Sequence, residues 1–174
     1  MRKLILIVGG ILSFIILVVI FSAIFSGGSS TKDSFISLAQ TQQEIARVAD
    51  AGVSGAVQQT TKNVATTAEL TMMTHQQQVL ALLKQQGIKK LGDKQLALKQ
   101  DATTDQKLNA GRETSTYDTV FLQILQDDLQ TYSASVKQLS GTSSDATQAE
   151  LFGSYYEQAQ LILSQIKTTP GVSH

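Results

Sequence analysis

Two patterns of apolar residues divide the chain. Residues 4–25 form an uncharged run of Ile, Leu, Val and Phe, interrupted by Gly9, Gly10, Ser13 and Ser22. After residue 32, apolar positions recur three and four apart among Gln, Thr and Ser, the period of a helix with one buried side. Four such helices are predicted. The first covers 33–51, with Asp33 as N-cap and Phe35, Leu38, Gln42, Ile45 and Ala49 on one side. The second covers 55–86, capped by Ser54, with Val57, Thr61, Val64, Ala68, Met72, His75, Val79 and Leu82 as its stripe. Gly87 supplies a left-handed stop, and Ile88 the apolar contact that accompanies it. The third opens at Ser115-Thr116-Tyr117-Asp118, a capping-box-like pattern, and carries Tyr117, Phe121, Ile124, Leu125, Leu129, Tyr132, Val136 and Leu139. The fourth, 145–167, carries Ala149, Phe152, Tyr156, Ala159, Leu163 and Ile166 and ends before Pro170-Gly171.

Loop lengths constrain the topology. The first and third connections are short, which predicts two antiparallel hairpins. The segment from Gly87 to Thr114 between them is much longer than a hairpin needs. It either covers one end of the bundle or runs lengthwise, making the third helix parallel to the second; a short helix near 93–108 is the most it is expected to hold. The expected fold class is all-α: a single N-terminal transmembrane helix plus a four-helix bundle in ferritin-like topology, with a long crossover between the second and third helices.

The leading run sets the expected compartment. As a helix its 22 residues reach about 33 Å, enough for a bilayer core. A cleaved signal peptide is the alternative, but its apolar region usually runs about 7–15 residues, and no Ala-x-Ala site ends this one. Arg2 and Lys3 precede the run, and the next basic residues are Lys32 and Arg47. By the positive-inside rule the N-terminus stays cytoplasmic and residues 27–174 lie outside. The expected organisation is a cytoplasmic end (1–3), a transmembrane anchor (4–25), a flexible linker (26–32), a four-helix bundle (33–168) and a tail (169–174). The bilayer is the first expected partner, through residues 4–25.

Composition mostly removes chemistry. Fourteen Lys+Arg balance fourteen Asp+Glu, so no global field favours nucleic acid. Zero Cys excludes disulfides, thiol catalysis and Cys-based metal sites. Two His remain, His75 and the terminal His174. A ferritin-type di-metal centre uses Glu-x-x-His, which is absent. His75 on the second stripe and Asp128 beside the third are the metal-ligand candidates; an inward His and an inward Asp on two helices would make a sparse metal or proton site. Glu44, Glu150 and Glu157 show no paired spacing with a His. No Gly-x-Ser-x-Gly elbow occurs, and Gly153-Ser154 falls mid-helix. Lys84, Lys89, Lys90, Lys94 and Lys99 form a basic cluster diluted by Asp93, Asp101 and Asp105.

Asp33-Ser34-Phe35, Ala39-Gln40, the run Thr71-Met72-Met73-Thr74-His75, the stretch from Leu80 to Ile88, and Tyr117-Asp118 carry a resemblance. Over about residues 33–167 the chain resembles exported bacterial ferritin-like four-helix-bundle proteins of uncharacterised function. A second His often lies in that family's third helix; the matching stretch here, Gln126-Asp127-Asp128-Leu129, has none. The resemblance implies a bundle fold and an envelope location, and no activity. The expected function is a non-enzymatic, membrane-anchored extracytoplasmic scaffold or partner-binding module, taking an envelope protein or its own copy as partner and no cofactor. The alternatives are a metal-binding protein using His75 with helix-borne carboxylates, and a sensory bundle signalling through a membrane partner.

Overall fold

Gln, Thr and Ser fill the faces beside each apolar stripe after residue 32, so each helix can bury one side only and must find neighbours. A computed structural model describes residues 31–88 and 90–169 and shows how they do so. In order the elements are α1 (Thr31–Gly55), α2 (Gln59–Gln85), α3 (Asp93–Leu96), a 3-10 turn (Ala97–Lys99), α4 (Ala102–Glu113), α5 (Tyr117–Thr142) and α6 (Ala146–Thr168). The chain divides into two units, Met1–Ser34 and Phe35–His174. Of the first, only the opening residues of α1 are described; the account below concerns the second.

Several helix ends follow local chemistry. Gly87 has φ +89°, its N–H donates to the Lys84 carbonyl at 3.1 Å, and the Ile88 N–H donates to Leu83 at 3.0 Å. These are the paired bonds of a Schellman stop, and Ile88 packs on the core as that motif requires. Asp145 caps α6 by accepting from the Gln148 N–H at 3.0 Å. Asp101 does the same for α4 at Thr103, 2.8 Å away.

Other ends depart from the local reading. Thr31 and Lys32, expected in the linker, are helical, which puts Asp33 inside the first turn of α1 instead of at its cap. Ser54 lies within α1 and does not cap α2. The start of α2 has no side-chain cap; instead Asp118 pins the chain that leads into it from across the bundle, its two carboxylate oxygens each accepting one N–H, from Val57 and Gln58, both at 2.8 Å. Its own helix, α5, starts at Thr116 without a side-chain cap bond, so the capping-box reading of Ser115–Asp118 fails.

Polar contacts between helices give the directions. Gln76 on α2 donates to the Ala39 carbonyl and to Gln43 on α1, making α1 and α2 antiparallel. At one level the Tyr117 hydroxyl donates to the Ala51 carbonyl at 2.6 Å while Asp118 meets Val57 and Gln58; a few turns on, Tyr132 meets Gln42 and His75. Therefore α5 runs parallel to α2 and antiparallel to α1. Ser140 reaches Ala149, and Gln160 reaches Ser133, so α6 returns along α5. The crossover runs lengthwise along α1, touching it through Gln95, Lys99, Asp101 and Asp105 in turn.

The core between these helices holds Phe35, Ile45, Met72, Phe121, Leu125, Tyr132, Phe152, Tyr155 and Ile166, all fully buried. Close approach of α1 and α5 depends on two glycines. A Cβ at Gly52 would overlap the Phe121 ring, and one at Gly55 would overlap the Tyr117 hydroxyl. Three stripe positions are corrected: Val57 is 84% exposed, Leu83 is buried more deeply than Leu82, and Tyr155 is buried more deeply than Tyr156.

The expected architecture of one transmembrane helix followed by a four-helix bundle does not stand. Among the described residues, which are all-helical and bundle-like, no helix is long and apolar enough to cross a membrane. The reason is the one-sided apolar stripe: Gln, Thr and Ser occupy the remaining faces of each long helix. The crossover also adds α3 and α4 to the four long helices, because Asp101 caps α4 and Leu108 gives it a buried anchor. The expected span at 4–25 and residues 170–174, including His174, lie outside the described residues.

Candidate functional site

His75 is the most chemically capable side chain of the second stripe, and the 3.6-residue period turns it inward between Met72 and Val79. It is 1% exposed. Nδ1 lies 2.8 Å from the Tyr132 hydroxyl on α5, and Nε2 lies 3.1 Å from Gln158 Oε1 on α6. Gln158 Oε1 only accepts, so the network assigns the proton to Nε2 and leaves Nδ1 as acceptor. Tyr132 then donates to Nδ1 and accepts from Gln42 Nε2 of α1 at 3.2 Å. A single run of bonds thus joins α1, α5, α2 and α6.

Aromatic rings enclose the imidazole. Tyr155 of α6 stacks on His75 with centroids 3.8 Å apart and planes 18° off parallel. The Tyr155 hydroxyl donates to Gln78 Oε1 at 2.7 Å and approaches the His75 carbonyl at 3.3 Å. Phe152 meets Tyr155 edge-on, and Phe35 meets Phe152. Burial lowers the His75 pKa to about 4 against a smaller opposite pull from Gln158, so the ring is neutral at pH 7. Burial likewise raises both Tyr132 and Tyr155, which stay protonated. One buried acceptor, Gln42 Oε1, has no protein partner.

Asp128 belongs to a different neighbourhood. It is half-buried on α5, and burial raises its carboxyl to about 7, with Glu44, Asp127 and Asp101 adding to the shift and Lys107 opposing it. Glu44 is buried and takes Arg47 in a fork, Nε at 2.7 Å and Nη2 at 2.8 Å. It also accepts the Asp101 N–H at 3.1 Å, while Arg47 Nη1 reaches Asp105 at 2.6 Å. The charges that act on Asp128 are therefore those of α1, α5 and the crossover, whereas the His75 ring nitrogens bond a tyrosine and a glutamine.

The two sequence candidates are consequently not joined in one site, and among the described residues no group of three His, Cys, Asp or Glu side chains is placed to hold a metal ion. Glu150 and Glu157 are exposed on α6. Ser154 bonds the Leu151 carbonyl of its own helix at 2.7 Å and meets no base. Of the basic cluster, Lys84, Lys90 and Lys94 are exposed, and Lys89 lies outside the described residues. Lys99 turns inward, donates to Ser37 Oγ at 2.7 Å and Thr41 Oγ1 at 2.9 Å, and is lowered to about 8 by burial.

The residues that organise the site were visible only in part. Gln42 stood on an apolar stripe, a signal that a buried partner was waiting; Gln158 lies on the exposed side of α6 and carried none. Comparison with known proteins adds nothing further: no protein-family model, no curated protein and no solved structure matches the chain.

Proposed function

We propose that this chain is a non-enzymatic helical module of the cell envelope that works by binding a protein partner on its outer surface. The observation that carries this reading is the His75 ring, both nitrogens of which are taken up in holding four helices together. Its neutral form, the protonated tyrosines beside it and the amide groups at either end have the character of a structural strut. The surface supplies a place for a partner: Leu70 is 59% exposed and Met73 is 45% exposed, three residues apart and therefore neighbours on the outer side of α2. An extracytoplasmic position goes with this reading, on the resemblance of residues 33–167 to exported bacterial bundle proteins. Digestion of intact cells with an added protease tests that position, since only an outward-facing bundle is cut.

Photo-crosslinking from position 70 or 73 in intact cells tests the binding role. A discrete adduct from position 70 that disappears with Met73→Glu is the expected result. No adduct from either position, together with a metal ion that copurifies with the wild type and is lost in His75→Ala, would replace this reading with the metal-binding one.

A further inference from the structure

The crossover is attached to the bundle differently from the helices it connects. Neither α3 nor the 3-10 turn buries a residue, and α4 buries Thr104, Leu108 and Gly111. Its contacts with α1 are polar and follow one another along that helix. Gln40 Nε2 donates to the Gln95 carbonyl at 2.8 Å; Lys99 bonds Ser37 and Thr41; Glu44 accepts from the Asp101 N–H; Arg47 bridges Glu44 and Asp105. Water can replace each of these bonds, so each adds little net stability. The end of α4 is fixed in another manner. A Cβ at Gly111 would lie 3.2 Å from Val120, and Arg112 sits over the Tyr117 ring at 5.0 Å. Beyond them Ser115 makes the turn into α5 with φ +58°, a left-handed conformation.

We propose that residues 92–107 form a strap that lifts off α1 between two buried anchors, Leu91 before it and Leu108 with the Gly111–Ser115 corner after it, while the four long helices stay packed. Lifting bares the polar face of α1 that carries Ser37, Gln40, Thr41 and Glu44. The ion pairs of the seam hold the strap down: Arg47 takes Glu44 of its own helix in a fork and reaches Asp105 on α4, so screening charge or removing Arg47 eases its release. Opening α5 from α6 instead would expose Phe121, Tyr132 and Tyr155, a far larger apolar cost. The part of α4 that lifts, residues 102–107, is too short to persist as a helix in water, and its amides then exchange.

Hydrogen exchange read by mass spectrometry on the purified full-length chain tests the strap. Peptides within 92–107 are expected to exchange at least about tenfold faster than those within 125–139, as for a low-energy local opening. Raising NaCl from roughly 0.05 M to about 1 M, where charges are screened beyond about 3 Å, is expected to accelerate 92–107 and leave α5 and α6 unchanged. Arg47→Met should act in the same direction at low salt; the salt arm stands without it should that variant fail to fold. Equal exchange of 92–107 and 125–139 overturns the proposal, and so does a strap whose exchange ignores both salt and Arg47→Met.

Discussion

The Tyr132 hydroxyl and His75 Nδ1, from residues 57 positions apart in the chain, meet 2.8 Å apart in the interior. Tyr132→Phe keeps the ring and removes the hydroxyl, leaving both Nδ1 and Gln42 Nε2 without a partner. Leaving buried polar groups unpaired costs about 1–3 kcal/mol, to be read as a lower midpoint in chemical denaturation. Tyr155→Phe is expected to cost less than about 1.5 kcal/mol, because its main acceptor, Gln78, is exposed and can turn to water.

Two groups give stability opposite dependences on pH. His75 titrates near 6.5 unfolded and at about 4 folded, so the folded state binds fewer protons between those values and loses stability as pH falls through them. Asp128 is raised from 3.8 to about 7, so the folded state holds more protons in that window and loses stability as pH rises from about 4 to 7. The slopes oppose each other over the shared range. Wild-type stability should vary little there, Asp128→Asn should rise with pH, and His75→Gln should fall with pH. Denaturation series from pH 4 to 7.5 on the three chains provide the check.

Gly52 is a packing requirement, and Gly141 is not. Gly52→Ala drives a methyl into the Phe121 ring and should cost about 1–3 kcal/mol. At Gly141, on α5, a Cβ meets nothing within 4 Å, so Gly141→Ala should stabilise by about 0.5–1 kcal/mol. Thermal melts of the pair distinguish close helix approach from a general intolerance of substitution.

Asp118 holds the backbone N–H groups of Val57 and Gln58, the two residues that lead into α2, from 60 positions further along the chain than Gln58. Asp118→Ala should cost about 1–2 kcal/mol and speed amide exchange at Val57 and Gln58 first, with α5 little affected. An effect confined to α5 would show that the carboxylate serves its own helix.

These positions also show what the sequence could disclose. Gly87-Ile88 and Asp145 were legible because a helix stop and an N-cap are completed by residues within a few positions. The start of α2 was not: a local reading offered Ser54, whereas the bonds come from Asp118, brought there by the packing of α5. The stripe put His75 inside, but nothing in the spacing indicated which nitrogen would meet a phenol. Asp128 lay at the border of its stripe, and only the path of the crossover brought the charges of Asp101 and Lys107 to act on it together with Glu44.

The central claim is that the His75 ring is fully engaged within the core. The most direct test is nitrogen NMR of its imidazole in the full-length chain at pH 6, assigned with His75→Gln, before and after one equivalent of zinc. The account predicts a neutral ring with the proton on Nε2, unmoved by the metal. A protonated ring at that pH, or a nitrogen that shifts on adding zinc, would contradict it.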